Sequence, residues 1–201
     1  NAIRGGVTTA CTGPGSANVV GGTFTVLKLA GKRVDNMLLK EPAAMKCAFG
    51  ENPKGCYGQG LKKSPMTRMA VAALLRELCK LPFHWIRLHY LYPDNLSDEL
   101  IDTIAGEEKI CNYLDIPIQH CNDDILKAMN RRDTKESIRK VFRELRERIP
   151  GLVLRTSIIA GLPGEGEKEF EELCDFLREE KIERAGVFPF SPEEGTKAAT
   201  M

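Results

Sequence analysis

Leu152-Val153-Leu154-Arg155-Thr156-Ser157-Ile158-Ile159-Ala160, closed by Gly161-Leu162-Pro163-Gly164, is the stretch whose reading decides the fold. An apolar run rich in β-branched residues that stops at glycine and proline reads as a strand ending in a turn. Downstream, Phe170, Leu173, Cys174 and Leu177 recur at helical spacing, and Ala185 to Phe190 reads as strand again. The same alternation runs upstream. Trp85 to Tyr92 is an aromatic and apolar strand halted by Pro93-Asp94. Ser97 then supplies an N-cap and Asp98-Glu99 an acidic first turn for a helix through Leu100, Ile101 and Ile104. Leu114 to Gln119 is a further strand, and Asp133 and Glu136 stand at capping-box spacing before Ile138, Val141, Phe142, Leu145 and Ile149. Strand starts near residues 85, 114, 152 and 185 have the repeat of βα units, which implies a parallel sheet. Four units are too few to close an eight-stranded barrel, so the fold expected is a partial (βα) barrel arc.

The region before residue 78 is less regular. Gly6 to Cys11 reads as a strand entering the Thr12-Gly13-Pro14-Gly15-Ser16 loop. Thr23 to Leu29, Met37 to Leu39 and Ala43 to Phe49 are further strand candidates. Gly50 to Pro65 reads as loop, and a helix is expected from Pro65 or Met66 to Lys80.

Among 201 residues, 42% are hydrophobic and 28% charged, the composition of an ordinary globular protein with material for a core. No apolar run approaches the roughly 20 residues of a membrane span, and the N-terminus lacks a charged-then-apolar signal pattern. A cytoplasmic location with no membrane partner is the default expectation. The opening Asn1-Ala2-Ile3-Arg4 has no initiator methionine and is expected to lie within a longer protein. The net charge of +1 hides a break: residues 1–77 carry 11 Lys/Arg against 4 Asp/Glu, and residues 78–201 carry 18 against 24. All three histidines (His84, His89, His120) fall in the second part. The basic first part has scattered lysines without aromatic interleaving, so no direct nucleic-acid motif is read there. Seven cysteines, at 11, 47, 56, 79, 111, 121 and 174, include no pair at C-x-x-C spacing, which points to reduced thiols rather than a disulfide framework or a metal knuckle.

Candidate chemistry gathers at strand ends, where α/β sites are built. Asp115 and Gln119 share one face of their strand, and Arg155 and Ser157 share a face within an apolar run. A charge inside a parallel strand must be paired or line a cavity, and Asp115 with Arg155 could do either. The Gly161-Leu162-Pro163-Gly164-Glu165 loop could present backbone amides to an anion or be only a tight turn. His84 and His89 point to opposite faces of one strand, His120-Cys121 lacks a visible third ligand, and Glu193-Glu194 reads as an exposed turn.

From about residue 78 onward the chain resembles the radical S-adenosylmethionine methylthiotransferases of the MiaB/RimO family, and within it the RimO-type ribosomal protein enzymes. The resemblance rests on Trp85-Ile86-Arg87-Leu88…Tyr92-Pro93-Asp94, Tyr113-Leu114-Asp115-Ile116-Pro117-Ile118-Gln119-His120-Cys121, Met129-Asn130-Arg131-Arg132, Arg155 through Glu165, and Phe190-Ser191-Pro192-Glu193-Glu194-Gly195-Thr196. It implies an open barrel that holds a 4Fe-4S cluster and S-adenosylmethionine at the strand C-termini. Reductive cleavage of that cofactor gives a deoxyadenosyl radical, and the substrate is an aspartate on small-subunit ribosomal protein twelve. By the same resemblance Gln119, Arg155, Ile159 and Gly161 lie beside the cofactor, with Arg132 close by. Ser157-x-Ile159-x-Gly161 approximates the family's adenine-contact motif, with serine where many members have glycine. The family's C-x-x-x-C-x-x-C loop is absent, so the resemblance implies ancestry without activity: a cluster of this type needs its thiolates.

Residues 1–77 resemble metal-dependent amidohydrolases instead. The matching runs are Arg4 through Gly15, Glu41 through Lys46 with Phe49 through Lys54, and Ser64 through Arg68. The resemblance implies a fragment of an amidohydrolase-like α/β barrel, with Lys46 matched to a carbamylated metal-ligating lysine or else an ordinary solvated one. No histidine of that family's metal set is present in this piece. The expectation is a chimera of two fragments, 1–77 and 78–201, non-catalytic as a hybrid reading frame.

Overall fold

The computed structural model describes residues 2–48, 54–62 and 67–200. The chain divides into two compact units, Asn1–Leu75 and Arg76–Met201.

In the first unit, β1 (Thr9–Thr12), β2 (Val20–Lys28) and β3 (Leu38–Cys47) form a three-stranded sheet in chain order. Both pairings are antiparallel, with Thr9 opposite Lys28 and Val20 opposite Cys47. The α/β barrel fragment implied by the amidohydrolase resemblance is therefore not what these strands build. The reason is connection length: only residues 13–19 and 29–37 join them, whereas a parallel crossover needs about a dozen residues or more. The separately read strands Met37–Leu39 and Ala43–Phe49 are one strand that runs through Pro42. A wide helical turn, Lys54–Gly60, occupies part of the expected loop, and the rest of that loop with the expected helix start at Pro65 or Met66 lies outside the described residues. Helix α1 (Arg68–Cys79) spans the division between the units.

The second unit is the expected arc. Strands β4 (Ile86–Leu88), β5 (Ile110–Asp115), β6 (Val153–Ala160) and β7 (Arg184–Pro189) lie in chain order, all parallel. Helices α2 (Asp98–Gly106), α3 (Asp123–Ala128), α4 (Lys135–Arg148) and α5 (Glu167–Glu180) provide the crossovers. Leu114, Ile116, Ile118, Leu126, Leu154, Ile138, Phe142, Leu145 and Phe176 are fully buried, and the Phe142 and Phe176 rings from α4 and α5 lie 6.5 Å apart. Full burial of side chains this size contributes about 1.5–3 kcal/mol each. Ser97 caps α2 as expected, accepting the Leu100 amide at 3.3 Å.

Three local readings shift. The cap of α4 is Thr134, which exchanges bonds with Ser137, rather than Asp133 with Glu136; Asp133 is drawn off by Arg131, whose Nη2 lies 2.9 Å from its carboxylate. Pairing in β5 starts at Ile110 and stops at Asp115, ahead of Pro117, which has no amide to donate. Ladder contact returns as a single bridge from Gln119 to Ile158. Only Ile86–Leu88 of the long Trp85–Tyr92 reading is strand, and Trp85 and Tyr90 stand more than two-thirds exposed. Among the described residues no helix is long and apolar enough to cross a membrane.

Candidate functional site

The carboxyl ends of β5 and β6 are tied together by main chain. The Gln119 amide donates to Ser157 O at 2.9 Å, and the Ile159 amide donates back to Gln119 O at 2.9 Å. This exchange holds Gln119 at φ +68°, a left-handed conformation that costs a non-glycine residue of order 1 kcal/mol and persists only where its surroundings fix it. Gln119 thereby faces a cavity of about 470 Å³ lined also by Tyr92, Asp94, Met129, Asn130, Arg131, Arg132 and Asp133. Arg131, paired with Asp133 and stacked 5.1 Å over the Tyr92 ring, fixes the turn from which exposed Arg132 reaches that cavity.

Gly161 ends β6 at φ +80°, with open space where a side chain would stand. Its amide does not wait for an anion. The Glu165 carboxylate accepts from the Gly161 amide at 2.7 Å and the Leu162 amide at 2.9 Å, so the turn is satisfied internally. Arg155 also proves to be paired: its Nη1 lies 2.8 and 2.9 Å from the two oxygens of Asp115, whose side chain is 2% exposed. That ion pair raises the guanidinium's affinity for its proton, chiefly through the hydrogen bond to Asp115. His89 Nδ1 lies 3.5 Å from Asp115 Oδ2, one of the two oxygens that Arg155 holds, and Ser157 Oγ accepts from Arg155 at 3.3 Å. Of the residues expected at the cofactor, Gln119 and Arg132 share the cavity, while Ile159 and Gly161 follow along the adjacent strand end. Arg155 is paired with Asp115 in a polar layer on β6. Lys46 lies in the first unit, half-buried on β3 and opposite Gly22 of β2 in the same sheet.

His120 and Glu165 both stand in runs that the sequence singles out, but nothing in the sequence brings them together, as the structure does at 3.9 Å. His120 is wholly buried, and burial pulls its pKa below 6.5 despite Glu165, Glu169 and Glu172 nearby. Periodicity could not have found it.

The donors present do not fit an iron–sulfur cluster. Among the described residues no group of three or more His, Cys, Asp or Glu is placed to hold a metal. Cys79 and Cys121 are buried, and burial pushes the Cys121 thiol up to about 12, far from the thiolate that iron requires.

The ribosomal protein uS12 methylthiotransferase RimO of Geobacter sulfurreducens is 50% identical over 146 residues, 72% of this chain and 32% of the relative. The chain thus spans about a third of the length of the curated relatives it matches. The structure of a radical S-adenosylmethionine methyltransferase, TsrM, from Kitasatospora setae, with cobalamin and a [4Fe-4S] cluster bound, aligns over 88% of this chain and 36% of that one. Its TM-score is 0.52 at 18% identity, a likeness of fold. An amidohydrolase from Thermotoga maritima aligns over 98% of this chain and 46% of that one at 26% identity, with a TM-score of 0.36. The family model described as the Radical SAM superfamily matches residues 63–177, beginning upstream of the charge break. With more than half its length inside that match and a parallel arc of the corresponding kind, this chain belongs to the Radical SAM superfamily, whose members work with S-adenosylmethionine and a 4Fe-4S cluster.

Proposed function

We propose that residues 78–201 are the core fragment of a RimO-type methylthiotransferase whose parent modifies an aspartate of small-subunit ribosomal protein uS12. The observation that carries this reading is the 50% identity to a uS12 methylthiotransferase over 72% of the chain. In this reading Gln119, Arg132, Ile159 and Gly161 hold the adenosyl side of S-adenosylmethionine, and Arg155 steadies the lumen through Asp115. The adenosyl subsite is compatible with the residues present, whereas the cluster site is not, because these 201 residues contain no C-x-x-x-C-x-x-C triplet. The chain as it stands is therefore proposed to be inactive, a hybrid whose residues upstream of the family match, which begins at residue 63, come from another source. The charge inversion and histidine distribution support that division.

A graft tests the reading. Residues 1–77 are replaced by the upstream segment of the Geobacter relative, which restores the cysteine triplet, and the product is reconstituted anaerobically. Cleavage of S-adenosylmethionine to 5′-deoxyadenosine is the expected result. A graft that folds and binds its cluster, yet leaves S-adenosylmethionine intact, contradicts the proposal.

A further inference from the structure

Behind the strand ends lies a buried pair that the cofactor reading leaves unused. His120 follows Gln119 directly and is 0% exposed. Its Nδ1 accepts the Asn122 amide at 3.0 Å, so the neutral ring carries its proton on Nε2. That Nε2 has no hydrogen-bond partner and stands 3.9 Å from Glu165 Oε1, on a side chain only 3% exposed. A buried donor left unpaired is costly and calls for an explanation. The other oxygen of the same carboxylate grips the Gly161 and Leu162 amides. One carboxylate thus stands between the two loops that carry Gln119 on one side and Gly161 on the other.

We infer that His120 and Glu165 form a brace behind the adenosyl subsite and that Glu165 is a positioning residue for it. The inference rests on the proposed reading of that subsite and deepens it. Glu165 touches no ligand. It fixes the left-handed turn at Gly161, and through that turn the end of β6, which exchanges main-chain bonds with Gln119. His120 keeps the carboxylate aimed: its Nε2–H faces the one oxygen that the turn does not use, too far for a full bond and near enough for attraction. Asn122, which caps α3 with its own side chain, is bound to Glu172 at 2.7 Å and so holds the His120 loop from the other end. The three carboxylates around the ring are Glu165, Glu169 and Glu172, with Lys135 neutralising Glu172 at 3.1 Å.

The test uses the full chain with S-adenosylhomocysteine, an adenosyl ligand that needs no cluster, and follows backbone amides by NMR. Glu165→Ala is expected to speed hydrogen exchange at Gly161 and Leu162 and to weaken ligand binding by about ten-fold, the scale of losing one charge-assisted hydrogen bond. Shifts of the α4 amides stay unchanged. Glu165→Gln, the same size and an acceptor still, recovers part of both effects and stands in if the alanine variant fails to fold. His120→Leu weakens binding, and His120→Gln, which returns a donor near Nε2, restores it. Faster exchange with unaltered affinity makes the brace merely structural and overturns the inference, as does unaltered exchange. Absence of any ligand shift at Gln119, Ile159 or Gly161 in the unmodified chain is a separate outcome. It removes the adenosyl reading itself, and the positioning role with it.

Discussion

The two sheets of this chain are opposites in how they bury themselves. In the first unit, Ala48, Ala72 and Leu75 are the only buried residues among those described, although β2 reads Thr23-Phe24-Thr25-Val26-Leu27 and is as β-prone as any strand in the molecule. In the second unit, β6 alternates half-buried and buried positions along its length, and helices α2 to α5 close over apolar residues that retain almost no exposure. Strand propensity makes a ladder in both places. A crossover helix after each strand makes a core in only one, because parallel pairing forces a helix-length connection that must itself be buried. Stability should therefore reside in Arg76–Met201.

The sharpest way to break that contrast is a matched truncation. Phe142→Ala, emptying a site that is 1% exposed, is expected to cost about 3–5 kcal/mol in denaturant unfolding. Phe24→Ala on half-buried β2 should cost well under half as much, on the order of 1 kcal/mol. Equal losses would show that the first unit has a core of its own. Next in size is Asp115→Ala, which strands Arg155 in a site 29% exposed; about 1–3 kcal/mol should be lost, read from the same unfolding curves. Arg155→Met in that background should restore part of it, and failure to do so would mean that the ion pair is not what the polar layer depends on. Thr134→Ala removes the cap of α4 and should cost about 1 kcal/mol, while the sequence-favoured alternative, Glu136→Ala, should cost only a few tenths. A reversed order would return the cap to Asp133.

The gentlest test is a pH series. Burial holds His120 neutral, with its folded pKa below the unfolded value of 6.5. The unfolded chain then takes up a proton first as pH falls, so the histidine's contribution is fully present above about pH 6.5 and declines below it, towards the folded pKa. The second unit's unfolding midpoint should drop over that window, and His120→Gln should flatten the drop. Carboxylates such as Glu172, which the Asn122 hydrogen bond holds below the usual range, lose their contribution at lower pH.

How much of this was legible in the sequence differs between the units for the same physical reason. Leu152–Ala160 and its Gly161-Leu162-Pro163-Gly164 stop could be read almost to the residue, because periodicity, turn chemistry and burial agree there. Ser97 declared its helix. The early stop of β5 follows from Pro117, yet its early start at Ile110 carried no local signal. The antiparallel order of β1 to β3 was hidden, since apolar runs do not state their direction and only the short connections do. At the site, Gln119, Arg132, Ile159 and Gly161 came from family resemblance. His120 and Glu165 act across two loops, through a contact between residues 45 positions apart in the chain, and no window of sequence contains both.

The measurement that bears most directly on the central claim, a radical S-adenosylmethionine arc without its cluster, is anaerobic reconstitution of the full chain with iron and sulfide. Iron, sulfide and 5′-deoxyadenosine are then counted per chain. The account predicts no stoichiometric cluster and no cleavage of S-adenosylmethionine, with the second unit still folding cooperatively. One 4Fe-4S cluster per chain that turns over S-adenosylmethionine would contradict it.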